Sequence, residues 1–263
     1  MSRLVRSTRQ PQSPGFTLVE LLVVVSIIAL LLALLTPTLS RAREMTKSVA
    51  CRSNLHQMGN GLQTYLATYK YYPGGHTAGG VGTYVVWAPR IRMYCGYNSE
   101  LFNCPVAPTV QRWKTVIDPA LNLPKRWGYL ANERPLYWNT PFSYGYNNWG
   151  QGQDFSQPQW GLGGYAEWRI QGNAEDWDAL EASRVKVPAD MIAVGDSKSE
   201  GVWDAFIDPQ PGETREWPND PHLQKSNIVF CDSHVETLAI AELVDPFTDN
   251  HGKSRWNNDN QRH

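Results

Sequence analysis

The chain has 263 residues, enough for one or two domains with a sizeable core. Its 24 Lys and Arg nearly cancel its 25 Asp and Glu, which excludes a basic field for nucleic acid. A mean hydropathy of −0.44 excludes a multi-span membrane protein, and 11 Trp, 12 Tyr and 7 Phe exclude disorder. What remains is a water-soluble body with one apolar segment near its start.

The first 19 residues hold no Asp or Glu but contain Arg3, Arg6 and Arg9. Residues 16–35 then read FTLVELLVVVSIIALLLALL, 20 positions with a single charge. As a helix this run is about 30 Å long, the thickness of a bilayer's hydrocarbon core. The charge is Glu20, and a carboxylate in lipid costs roughly 2.5–3.5 kcal/mol or more, so it needs a partner. A secretory signal peptide fits poorly, because the apolar core is too long and residues 36–40 make a weak cleavage site. A plain single-span anchor fits the length and leaves Glu20 unexplained. Arg41, Arg43, Lys47 and Arg52 follow the span, so charge counting leaves its orientation open.

A third reading uses every residue. The string SPGFTLVELLVVVSIIALLLALLTP resembles the amino terminus of type IV pilins and type II secretion pseudopilins. There, a short basic leader ends in Gly, Phe follows, and Glu comes four positions later. The resemblance implies cleavage between Gly15 and Phe16 by a membrane prepilin peptidase, which also N-methylates Phe16. It implies that Glu20 faces the new N-terminal ammonium of a neighbouring subunit, and pairing offsets the burial of either charge alone. It also implies a single-pass protein of the inner (cytoplasmic) membrane, with its head in the periplasm or at the cell surface.

Beyond the span, Leu55, Met58, Leu62, Tyr65, Leu66 and Tyr69 fall on one face of a helix. Tyr72-Pro73-Gly74-Gly75 should end it. Pro37 removes a backbone donor and should kink or locally melt the helix. Gly59 and Gly61 read as weak points, each costing about 1 kcal/mol against alanine. The stretch ACRSNLHQMGNG is similar to a C-x-x-N-L-x-Q-x-G helix of large-headed pilin-like proteins common in Planctomycetes and Verrucomicrobia. Four later landmarks agree: LFNCP at 101–105, SYGYN at 143–147, VPADMIAVGDS at 187–197 and HLQKSNIVFCDSHVE at 222–236. In the last, His222 and Asp232 match a His-x9-Asp-Gly signature of unknown role, with Ser233 where the family usually has Gly. If that turn needs positive φ, serine strains it by about 1 kcal/mol.

The expected fold is α+β and pilin-like: a long N-terminal transmembrane α-helix packed on a C-terminal antiparallel β-sheet head. The divisions are a leader at 1–15, a span at 16–36, an amphipathic continuation at 37–72 and a β-rich exoplasmic head at 73–263. Strands are expected at 84–88, 143–147, 191–196, 202–207, 227–231 and 235–240. Residues 231–234 should turn a C-terminal hairpin. Residues 148–173, rich in Gly, Gln and Trp, read as a long insertion loop, and the tail from 250 as frayed.

Four cysteines, Cys51, Cys95, Cys104 and Cys231, allow three complete pairings. Cys51 and Cys104 both lie on family landmarks, so the resemblance favours a bridge between them, with Cys95–Cys104 the local alternative. Zinc is not expected, since no C-x-x-C pair exists. Asp196, Asp232, His222 and His234 invite a metal or hydrolase reading. Asp in G-D-S and C-D-S is also ordinary turn chemistry, and Asp196 and Asp232 are kept as calcium candidates. Most tryptophans should serve the core, with Trp149, Trp160, Trp168 and Trp177 the exposed ones. The function expected is a non-enzymatic, peptidase-processed structural subunit of a type II secretion or type IV pilus-like filament. Its partners would be the prepilin peptidase, other pilin-like subunits and the membrane assembly machinery. The alternative is a membrane-anchored envelope protein whose aromatic-rich head binds glycan or cargo without polymerising.

Overall fold

A computed structural model describes residues 16–79, 82–123, 125–149, 160–163, 180–198, 200–201, 203–209, 216–244 and 254–261. Gly15 with the leader, Trp168, Trp177 and most of the insertion loop lie outside the described residues, as does most of the tail. The chain divides into two compact units, residues 1–43 and 44–263.

The first unit contains the start of helix α1 (Leu18–Tyr69). Leu18, Leu22, Ile28, Leu31 and Leu35 are all exposed, as is the rest of the run. Among the described residues, α1 is the one helix long and apolar enough to cross a membrane. Pro37 lies within it and the helix runs on without a break, so the expected local melting does not occur. The flanking hydroxyls are tied into the ladder: Thr36 Oγ1 donates to the Leu32 carbonyl at 2.7 Å and Thr38 Oγ1 to the Leu35 carbonyl at 2.8 Å. The carbonyl that Pro37 leaves without its ladder donor is that of Ala33, so these hydroxyls add bonds beside the gap and do not fill it.

The second unit is built around a five-stranded sheet. Its strands are β3 (Tyr144–Asn147), β4 (Ile192–Asp196), β5 (Phe206–Ile207), β6 (Ser226–Phe230) and β7 (Val235–Leu238). The order is β5-β3-β4-β6-β7. All neighbours are antiparallel except β3 and β5, which run parallel. A separate hairpin joins β1 (His76–Gly79) and β2 (Gly82–Val85). Two short helices, α2 (Trp87–Arg92) and α3 (Ile240–Val244), complete the unit. The run expected as a strand over 84–88 thus stops at Val85 and turns into α2. Of the run expected over 202–207 only Phe206–Ile207 is strand, because Trp203 sits at a φ of 60°. The C-terminal hairpin turns over residues 231–234, as expected.

The sheet is covered on both faces. Cys51, Leu55, Met58, Leu62 and Leu66 of α1 pack with Trp87, Phe102, Tyr144, Val194 and Val229 in the main core. Ile192, Ile207, Ile228 and Phe230 point the other way, against Leu243, Val244 and Trp256. On β6 the split follows the period of two, with Ile228 and Phe230 on one face and Val229 on the other. On β4 the register shifts between Ile192 and Val194, a bulge that places Ala193 and Val194 in the same core. Each fully buried Leu or Met on the helix contributes roughly 1.5–3 kcal/mol. Tyr69, expected on the buried face, is 42% exposed because it lies at the helix end.

Gly59 and Gly61 are contact points rather than weak ones. A Cβ on Gly59 would lie 2.8 Å from both Ser233 Cβ and Val229 Cγ2, and one on Gly61 would lie 2.5 Å from Cys95 Sγ. The helix can approach the hairpin turn this closely only without side chains there.

Candidate functional site

Two places in the molecule carry chemistry beyond packing. The first is the start of α1. Thr17 Oγ1 donates to Glu20 Oε2 at 2.7 Å, and the Thr17 backbone N–H donates to the same oxygen at 2.9 Å. The Glu20 N–H returns a bond to Thr17 Oγ1 at 3.3 Å. Thr17-Leu18-Val19-Glu20 is therefore a capping box, which satisfies helix-end donors and holds the carboxylate at the first turn. The sequence carried this T-x-x-E signal, and it supplies Glu20 with a local partner in the single chain.

The second place is a buried cluster in the head, assembled from four segments. Cys51 comes from α1, and Cys104 from the loop after the turn Ser99–Phe102. Asp196 ends β4, and His222 lies in the turn before β6. Their donor atoms all lie within 4.8 Å of one another, and all four residues are buried. Cys51 Sγ is 3.4 Å from Asp196 Oδ1, and Cys104 Sγ is 3.4 Å from His222 Nε2. His222 Nε2 is also 3.5 Å from Asp196 Oδ2. Around them, Tyr144 Oη donates to Cys51 Sγ at 3.2 Å and the Asn227 N–H to Asp196 Oδ2 at 2.8 Å.

The turn that presents His222 is held open by strained backbone. His222 and Lys225 exchange two N–H to carbonyl bonds, both 3.2 Å, while Leu223 and Gln224 sit at φ of 55° and 63°. That is the pattern of a type I′ turn, here without the Gly or Asn such positions favour. Each residue in that region is strained by about 1 kcal/mol.

Charge in the cluster is shared. Hydrogen bonding from Cys51, then from His222 and the Val106 N–H, lowers Cys104 to about 4 despite burial. Burial pushes Cys51 the opposite way and Asp196 up to about 6. Burial opposes the charged form of His222, but its contacts with Asp196 and Cys104 prevail and raise it to about 9. The arrangement is not a nucleophile–base–orienter relay. In a relay the carboxylate holds the ring nitrogen remote from the nucleophile. Here Cys104 and Asp196 both meet Nε2, and Nδ1 has no hydrogen-bond partner.

Comparison with known families agrees with the residues. The model of the prokaryotic N-terminal methylation motif matches residues 12–36. That motif is the one type IV pilin-like proteins carry at their amino terminus. A second model, described as a protein of unknown function (DUF1559), matches residues 40–91, the second half of α1 and the first hairpin. No curated protein and no solved structure matches it.

The head residues singled out in the sequence separate into two groups. His222 joins Asp196 in the cluster, whereas Asp232 lies in the exposed β6–β7 turn and accepts from His234 Nδ1 at 2.5 Å. The two calcium candidates, Asp196 and Asp232, therefore lie at separate places in the head. Asp196 is surrounded instead by sulfur and nitrogen donors, which suit hard cations poorly. Ser233 stands at φ 74°, the positive value at which the resembled family's glycine is free of strain.

Cys51 and Cys104, which the resemblance pairs, are buried neighbours that both carry free thiols in this structure. Cys95 packs on Gly61 and points to the Gln57 carbonyl, away from Cys104. Trp149 and Trp160 are half-buried and pair at 5.4 Å, rather than exposed as expected. Trp87, Trp113, Trp127 and Trp256 are core residues, while Trp138 is 38% exposed.

One feature had no signal in the sequence. Arg92 and Glu133 form a fully buried bidentate pair at 2.7 and 2.5 Å, with the guanidinium stacked 4.3 Å over Trp113. Neither residue lies in a motif, and only the chain path brings them together.

Proposed function

We propose that this chain is a structural, non-catalytic subunit of a type II secretion or type IV pilus-like filament. The prepilin peptidase releases the leader after Gly15 and methylates Phe16, and the span then packs among other pilin-like subunits in the inner membrane, with the head outside. The observation that carries this reading is the joint placement of Phe16, Glu20 and an exposed apolar helix. Phe16 is 81% exposed at the helix start, one residue before the capping box that fixes Glu20. An apolar surface left uncovered by the described residues is suited to lipid or to neighbouring helices.

The test is to co-express the full chain with a prepilin peptidase and read the mature amino terminus by mass spectrometry. A methylated Phe16 start supports the reading. A start near residues 36–41, or an intact Met1, overturns it and leaves a secreted or merely anchored head. With processing established, Glu20→Ala should abolish incorporation into filaments while the head melts at an unchanged temperature.

A further inference from the structure

We propose that Cys51, Cys104, Asp196 and His222 form a tetrahedral zinc site that fastens α1 to the sheet of the head. Filament assembly by the span does not call on these residues, so the inference stands apart from the functional reading above.

The geometry is that of convergence on a point. Zinc bonds of about 2.0–2.3 Å in a tetrahedron set ligand-to-ligand edges of about 3.3–3.8 Å. Cys51 Sγ to Asp196 Oδ1 and Cys104 Sγ to His222 Nε2 are already 3.4 Å each, the other Asp196 oxygen lies 3.5 Å from His222 Nε2, and one donor atom from each of the four residues falls within 4.8 Å of the rest. Two sulfurs, one imidazole nitrogen and one carboxylate oxygen are also the donor types that zinc takes. The lack of a C-x-x-C pair does not count against a site whose four ligands come from four segments.

The surroundings are built for the donors. The Tyr144 hydroxyl bonds the Cys51 sulfur, and the Asn227 N–H fixes the carboxylate. Such outer contacts orient ligands and stabilise their deprotonated forms. Each of the five landmark segments singled out in the sequence supplies one of these side chains: Cys51, Cys104, Tyr144, Asp196 and His222. A Cys51–Cys104 disulfide would use only two of the four donors and leave Asp196 and His222 buried against it. A divalent cation engages all four, and its binding releases the thiol protons.

The test uses the full chain purified in detergent under reducing conditions. One equivalent of zinc by elemental mass spectrometry is expected. After removal by chelator, one equivalent of cobalt(II) should produce the intense visible bands of a tetrahedral site together with thiolate-to-cobalt charge transfer. Cys104→Ser and His222→Ala should each lose that spectrum, and Cys95→Ser should keep it. Because those variants could misfold, alkylation of the wild-type chain gives an independent reading. Zinc should protect Cys51 and Cys104 while Cys95 reacts with or without it. Three results would overturn the proposal: a Cys51–Cys104 disulfide in thiol-trapped protein from the cell envelope, less than a tenth of an equivalent of zinc or cobalt bound by the reduced wild-type chain (~10-fold below the expected ratio), or unchanged cobalt spectra in both ligand variants.

Discussion

The two units satisfy their polar groups differently. In the first, Glu20 bonds Thr17, Ser26 bonds the Leu22 carbonyl, and Thr36 bonds the Leu32 carbonyl, all within four positions. In the second, exposed Thr64 and Thr68 still bond back four positions, but other polar groups of the same helix reach far along the chain. Asn54 donates to the Asn103 carbonyl, Gln63 to the Cys231 carbonyl, and His56 meets the Ser233 carbonyl at 2.9 Å. A segment in hydrocarbon finds no water and few neighbours, so each polar group must be closed locally. A segment facing a sheet can use partners from anywhere in the fold. One helix thus follows two sets of rules, and its sequence changes at the boundary between them.

Substitutions in the head should test that contrast by breaking long-range closure, with the melting of the full chain in detergent as the common measurement. The largest effect is expected from Glu133→Ala, which strands Arg92 in the core and should destabilise the head by about 3–5 kcal/mol. A loss below about 1 kcal/mol would mean that Arg92 finds another partner. A substitution in the span such as Ala29→Leu should leave the same melting transition unmoved.

Acid should act next. Burial lowers His76 to about 4 from an ordinary 6.5, so the unfolded chain takes up the proton first. Stability from this group is complete above pH 6.5 and falls as the pH drops toward 4. The loss amounts to about 3 kcal/mol. His76→Gln should flatten the stability curve in that window, and an unchanged slope would assign the acid sensitivity to other groups.

Gly59→Ala tests the close approach of helix and hairpin. Its Cβ would meet Ser233 and Val229 at 2.8 Å, and overpacking of this kind costs about 1–3 kcal/mol. Were helix propensity alone at work, alanine would instead stabilise by about 1 kcal/mol. The sign of the change in melting temperature therefore decides between contact and propensity. The smallest effect is expected from Ser233→Gly, which relieves a φ of 74° and should stabilise the head by about 1 kcal/mol. A loss would show that the Ser233 hydroxyl, bonded to the Asp232 carbonyl, outweighs the backbone strain.

The amino-terminal half was legible because its determinants are short-range. Length and hydropathy define the span, T-x-x-E closes its first turn, and the period of 3.6 marks the buried face from Leu55 to Leu66. The hairpin over residues 226–238 was legible for the same reason, since β-branched alternation and a C-D-S-H turn lie side by side. The glycines misled because propensity describes an isolated helix, whereas Gly59 and Gly61 answer to Ser233 and Cys95 across the fold. Trp149 and Trp160 misled because polar neighbours in sequence did not reveal that the two rings cover each other.

By itself, then, the sequence determined the methylation motif at the start, the long apolar helix and the strands of the C-terminal hairpin, all from short-range patterns. Only the tertiary structure decided that Cys51 and Cys104 are neighbours, that His222 goes with Asp196 and not with Asp232, and that Arg92 meets Glu133. Those outcomes depend on the path of the chain between distant segments, which sheet order and helix docking fix together. No local pattern encodes that path, so residues 51, 104, 196 and 222 become a single site only when the head is folded.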